Sequence, residues 1–126
     1  MHYIGVDIVE IARIEKAIAR RGEGFLRRIF TKPELKLCYK KPASLAARFA
    51  GKEAVIKALG RSIKWREIEI LADRNGKPLV HLHGKAQSQA DSLGLDRLTI
   101  SLSHPKEYAI AFVVGETKGE NPDLNC

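Results

Sequence analysis

The 126-residue chain is sparing in cysteine, in aromatic residues and in long apolar runs. Its two cysteines, Cys38 and Cys126, supply neither the paired spacing of a zinc site nor a disulfide framework, so both read as reduced thiols. Aromatic residues make up only 6% of the chain, and the single Trp and single Met single out no site. No apolar run is long enough to cross a bilayer, and the first residues lack a basic segment followed by a signal core. These absences predict a cytoplasmic protein that does not insert into a membrane. No internal repeat or low-complexity tract is visible, and the length suffices for one domain with a proper core but not for two.

Charge is abundant but uneven. The formal net charge is +7, and between Arg13 and Lys41 ten basic residues stand against three acidic ones, which leaves the remainder neutral. A localised positive field favours an acidic partner, whether nucleic acid, an anionic membrane surface or an acidic protein.

The residues from 3 to 9 read as a largely buried strand with one anomaly, the carboxylate of Asp7 among apolar neighbours. Such a carboxylate needs a partner; a simple expectation is that it lies near the strand end and accepts from backbone N–H groups of the next turn. Ile11, Ile14, Ala17 and Ile18 then recur at helical spacing, with Arg13, Lys16, Arg20 and Arg21 on the polar sides. Gly22 and Gly24 break that helix, and a second short apolar face follows with Arg27 and Arg28 outside. Thr31, Pro33 and Glu34 form a helix start signal, and the helix is expected to run to about Lys40, before Pro42.

The centre of the chain, Arg48-Phe49-Ala50-Gly51-Lys52-Glu53-Ala54-Val55-Ile56-Lys57, lies in an alanine-rich segment that predicts a helix of about four turns, capped by Ser44 and ended by Gly60. Phe49, Glu53 and Lys57 share one stripe, while Arg48 and Lys52 lie on a neighbouring one. Small residues permit close packing, which would partly desolvate these charges and call for partners or a ligand. A Glu53–Lys57 pair on a solvated face is the simpler alternative.

After Gly60, the loop through Arg61, Ser62 and Lys64 could hold phosphate with its cations and backbone N–H groups, although a glycine cap followed by basic residues is common. Residues 67–72 and 79–83 alternate around Asn75-Gly76, a hairpin signal. His81 and His83 share a strand face but no third metal ligand is near, so that face reads as solvated. A helix over 84–93, a strand around Leu98, Ile100 and Leu102, a turn at 103–107 and a strand over 108–114 complete the pattern. The expected class is α+β, a mainly antiparallel sheet packed against helices, as one domain over 1–115 with a polar tail over 116–126 expected to be disordered.

Asp7 and Glu53 are hard oxygen donors on two rigid elements, the protein contribution a Mg²⁺ site needs when substrate phosphates complete the shell. A cation beside such a site, notably Lys57, would neutralise charge on a phosphate leaving group. The combination suggests phosphoryl-type transfer.

Three segments carry a resemblance. Gly5-Val6-Asp7-Ile8-Val9-Glu10 with Arg13, then Arg48-Phe49-Ala50-Gly51-Lys52-Glu53-Ala54 with Lys57, and finally Ser103-His104 with Tyr108-Ala109, resemble in order and spacing the signature segments of the holo-acyl-carrier-protein synthases, the small bacterial 4′-phosphopantetheinyl transferases. The resemblance covers about residues 3 to 115.

It implies transfer of 4′-phosphopantetheine from coenzyme A to a serine of apo acyl carrier protein, with release of adenosine 3′,5′-bisphosphate, and a place in fatty acid biosynthesis. It further implies Mg²⁺ on Asp7 and Glu53 and a leaving phosphate stabilised by Lys57. The serine proton would go to a metal-bound water or to one of the two carboxylates. Arg48 and His104 match positions near the nucleotide, with Lys52 a further candidate and Gly60 and Ser62 in the adjoining loop. That loop departs from the family's usual Gly-Thr-Gly, since it reads Gly60-Arg61-Ser62. Arg13 matches a contact to the acidic carrier protein, and Arg20, Arg21 and Arg28 extend the same basic surface. A homotrimer with active sites between subunits is implied as well.

A different reading, a small basic nucleic-acid-binding module, explains the charge cluster but leaves Asp7 and Glu53 without a role and has few aromatics for stacking.

Overall fold

The computed structural model describes residues 2–60 and 62–117. Strand β1 (His2–Glu10) leads into helices α1 (Ile11–Arg21), α2 (Glu23–Ile29), α3 (Lys32–Leu37) and the long α4 (Pro42–Leu59). A 3₁₀ turn at Trp65–Glu67 precedes the hairpin β2 (Ile68–Ala72) and β3 (Pro78–Leu82); α5 (Gly84–Ser92) and a second hairpin, β4 (Leu95–Ser103) and β5 (Tyr108–Thr117), follow. All ladders are antiparallel, so the α+β class holds. The hairpins do not merge into one sheet: β1, β5 and β4 form a three-stranded sheet in that order, and β2–β3 form a separate two-stranded one.

Helix α4 is the centre of the core. Ten of its 18 residues are buried, among them Ala46, Ala47, Ala50, Gly51, Ala54 and Ala58. This exceeds what a one-sided amphipathic helix buries, because sheet, hairpin and helices surround it. The small residues have a geometric reason. A Cβ on Gly5 would stand within 1.8 Å of the Ala54 carbonyl oxygen, and one on Gly51 within 2.6 Å of Ile70 Cδ1, so β1 and the β2 side chains lie directly on the helix backbone.

Several boundaries differ from expectation. Helix α4 starts at Pro42, before Ser44, because proline is pre-organised for the first helical turn. Its far end follows expectation, with Gly60 left-handed at φ 71°. Helix α3 stops at Leu37, short of Lys40, whose own φ is +53°. Glu116 and Thr117, assigned to the tail, instead extend β5, with Glu116 opposite His2. Arg61, Cys126 and the rest of the expected tail lie outside the described residues.

Candidate active site

Alternation along β1 turns Gly5, Asp7 and Val9 toward α4 and leaves Ile4, Val6 and Ile8 exposed on the outer face. Asp7 is therefore in mid-strand, away from the turn expected to satisfy it. Its partner comes from α4: Lys57 Nζ donates to Asp7 Oδ1 at 2.9 Å and to the Val6 carbonyl oxygen at 3.1 Å. The Asp7 side chain is 18% exposed and that of Lys57 55%, so the pair sits at the edge of the core with the ammonium facing water.

Glu53 is one turn before Lys57 on the same helix face, yet the two do not pair. Glu53 Oε1 accepts from the Trp65 indole N–H at 3.1 Å. Among the described residues, neither Glu53 Oε2 nor Asp7 Oδ2 receives a hydrogen bond. Two carboxylates thus stand on facing rigid elements, each with one oxygen fixed by the protein and the other available. Glu53 and Trp65 line a cavity of about 470 Å³ together with Arg28, Lys64, Ile56 and Ile63. Arg28, grouped by sequence with the carrier-facing arginines, is placed beside Glu53.

Lys52 requires a correction. It is wholly buried, and its ammonium donates to Glu34 Oε1 at 2.7 Å and to the carbonyl oxygens of Trp65 and Ile68. All three of its protons are used internally, so it has none for a nucleotide. Burial pulls its pKa below the ordinary value of 10.5, against the opposing pull of Glu34. Glu34 is equally buried; it also accepts from the N–H groups of Thr31 and Ile70, which ties the α3 capping box to β2.

Gly60 needs a correction too. Its N–H closes the helix by donating to Ile56 O at 2.9 Å and is not a free phosphate donor. Ser62 is exposed and lines a different cavity, between the loop and α5. Arg48 is half-buried, with Nε on the Ile70 carbonyl at 3.3 Å and Nη1 near that of Ser44. His104 is exposed in the β4–β5 turn. The fold therefore pairs Asp7 with Lys57 and sets Glu53 one helical turn from that lysine, and among the described residues no hydrogen bond links Arg48, Ser62 or His104 to them. Arg13, Arg20 and Arg21 are exposed along a groove that α1 forms with Phe25 and Phe49.

Sequence reasoning passed over Trp65, dismissed as the lone tryptophan, and Glu34, recognised only as half of a capping box. Glu69 was also missed. Its carboxylate accepts from Thr31 Oγ1 at 2.6 Å and lies 3.2 Å from His83 Nε2, so the His81–His83 strand face is not purely solvated.

Residues 3–113 match the model of the 4′-phosphopantetheinyl transferase superfamily, which spans most of the chain. The chain belongs to this superfamily. It is 54% identical over 118 residues to the holo-[acyl-carrier-protein] synthase of Dehalococcoides mccartyi, with 92% of this chain and 99% of the relative covered. The like-named protein of Herpetosiphon aurantiacus is 49% identical over 121 residues, covering 88% and 95%. The crystal structure of the Helicobacter pylori holo-[acyl-carrier-protein] synthase in complex with coenzyme A superposes with a TM-score of 0.82 at 38% identity, covering 90% of this chain and 99% of that one.

Proposed function

We propose that this protein transfers the 4′-phosphopantetheine group of coenzyme A to a serine of an apo acyl carrier protein and releases adenosine 3′,5′-bisphosphate. The observation that carries this reading is the Asp7–Lys57 contact between β1 and α4, with Glu53 one helical turn away. It lies in a chain more than half identical to a named holo-[acyl-carrier-protein] synthase.

The donor set fits Mg²⁺. Two hard carboxylates on rigid elements, each with an uncommitted oxygen, match an ion that takes one or two protein carboxylates and completes its shell with phosphate and water. Bound there, Mg²⁺ would polarise the phosphate under attack and neutralise its charge. In the transfer itself the serine oxygen forms a bond to the β-phosphorus as the bridging P–O bond breaks, and the electron pair leaves on the nucleotide phosphate. Lys57, already oriented by Asp7 and the Val6 carbonyl, offers its positive charge to that leaving group. The serine proton passes to Asp7 or Glu53, directly or through water.

Arg13, Arg20 and Arg21 give α1 the basic, solvent-facing surface an acidic carrier would meet; exposed cations of this kind raise encounter rate more than affinity. The outer face of the three-stranded sheet exposes Ile4, Val6, Ile8, Tyr108 and Phe112, which supports assembly with further copies into a homotrimer. Such an assembly would let Arg48, Ser62 and His104 of one copy serve the Asp7–Glu53 centre of another. Among the described residues no helix is long and apolar enough to cross a membrane, and the buried Cys38 is in no disulfide.

The test is intact-protein mass spectrometry of an apo acyl carrier protein incubated with this protein, coenzyme A and Mg²⁺, beside an EDTA control. A gain of one phosphopantetheine group that EDTA blocks is expected. No gain on several apo carriers, from folded protein that instead binds RNA, would overturn the reading.

A further inference from the structure

We propose that Trp65 is a positioning residue for Glu53, holding this carboxylate in the orientation that receives the divalent ion; the inference rests on the metal reading above. The indole N–H donates to Glu53 Oε1 at 3.1 Å, which among the described residues is the only hydrogen bond to that carboxylate. An indole N–H can donate but cannot accept, so the contact has one polarity and fixes one oxygen while leaving Oε2 for a cation.

The donor is itself held from two sides. The Lys52 ammonium, wholly buried and anchored by Glu34, donates to the Trp65 carbonyl at 3.0 Å and pins its peptide. The Trp65 ring rests beside that of Phe49, with centroids 6.1 Å apart, and Phe49 lies one turn before Glu53 on the same stripe of α4. Ordering Glu53 therefore adds little entropic cost at the moment of binding, because Trp65 has already restricted its rotamers. Glu53 and Trp65 also border one cavity with Arg28 and Lys64, so what binds at Glu53 lies within reach of the indole. This gives Lys52, which cannot touch a ligand, an indirect part in the site.

Because the chain has one tryptophan, its emission reports on this site alone. Mn²⁺, a paramagnetic substitute for Mg²⁺, is titrated into the protein with coenzyme A present; bound ion is read by electron paramagnetic resonance and indole quenching by fluorescence. Wild type is expected to bind Mn²⁺ with quenching that excess Mg²⁺ reverses. Trp65→Phe keeps a ring against Phe49 but removes the donor. It is expected to weaken Mn²⁺ binding about 10-fold, in the range seen when a ligand's hydrogen-bond partner is removed. Its circular dichroism should be unchanged, and kcat should recover at saturating Mg²⁺. Equal Mn²⁺ affinity in Trp65→Phe, or bound Mn²⁺ without quenching in wild type, would overturn the positioning role and leave the metal reading standing. Failure of wild type to bind Mn²⁺ at all would overturn both.

Discussion

Lys57 and Asp7, fifty residues apart in the chain, meet at 2.9 Å where α4 crosses β1, and the same ammonium reaches the Val6 carbonyl. The contact is half open to water, which limits its worth to folding to less than about 1 kcal/mol. On the proposed function, its value lies in holding a cation and a carboxylate ready on adjacent rigid elements.

Asp7→Asn is accordingly expected to lower Mg²⁺-dependent transfer by at least about 100-fold while shifting the thermal midpoint little. Lys57→Met should produce a loss of the same order through the leaving group, since the proposed metal ligands, Asp7 and Glu53, remain. Steady-state rates on apo carrier protein, with denaturation curves beside them, check both. Near-normal rates in Asp7→Asn and Glu53→Gln together would reject the two-carboxylate site.

Lys52→Met separates burial from ligand binding. Removing the ammonium strands Glu34 as an uncompensated buried charge and frees the carbonyl groups of Trp65 and Ile68. A loss of about 3–5 kcal/mol is expected by chemical denaturation. Glu34 has backbone donors as well, so the double variant Lys52→Met with Glu34→Gln should recover only part of that loss. The KM for coenzyme A, measured on the folded fraction at saturating Mg²⁺ so that any loosening of Glu53 through Trp65 is compensated, should stay within about threefold; a large rise there with intact stability would return Lys52 to the nucleotide.

Acid stability should show the Glu69 cluster. Burial alone would raise the Glu69 pKa, but hydrogen bonds from Thr31 and His83 outweigh it and hold the group below its ordinary 4.5. Below pH 4.5 the unfolded chain takes up this proton while the folded one resists, so stability falls with pH until the folded carboxyl protonates as well. Glu69→Gln removes that contribution and is expected to flatten the acid limb of a plot of unfolding free energy against pH. An unchanged slope would place the acid sensitivity elsewhere.

What the sequence disclosed, and what it withheld, follows from the range of the interactions. The stripe of Phe49, Glu53 and Lys57 and the left-handed Gly60 were legible because helical spacing and caps are local. The partner of Asp7 was not, because nothing in residues 3–9 points to a lysine fifty positions on. Lys52 misled for a related reason: helical position separates faces, but an alanine-rich helix surrounded on most sides has little solvated face to give a lysine. Trp65 went unnoticed because its meaning lies in Glu53 Oε1, which is reached only once the 3₁₀ turn has folded back over α4.

The outer face of the β1–β5–β4 sheet makes the assembly itself testable. Val6 and Phe112 are register partners at its middle, 53% and 46% exposed, flanked by Ile4 opposite Val114 and Ile8 opposite Ile110. A contiguous apolar face of this kind on one side of an antiparallel sheet is the surface a second copy would cover. Light scattering should give a mass near three times the 14.0 kDa chain, and the melting temperature should rise with protein concentration. Val6→Glu places a charge where the copies would meet and should give a single-chain mass. It should also lower transfer if Arg48 or His104 must reach a neighbouring Asp7–Glu53 centre. A wild-type protein of single-chain mass that retains full activity would show instead that the apolar face has another use and that each chain holds a complete site.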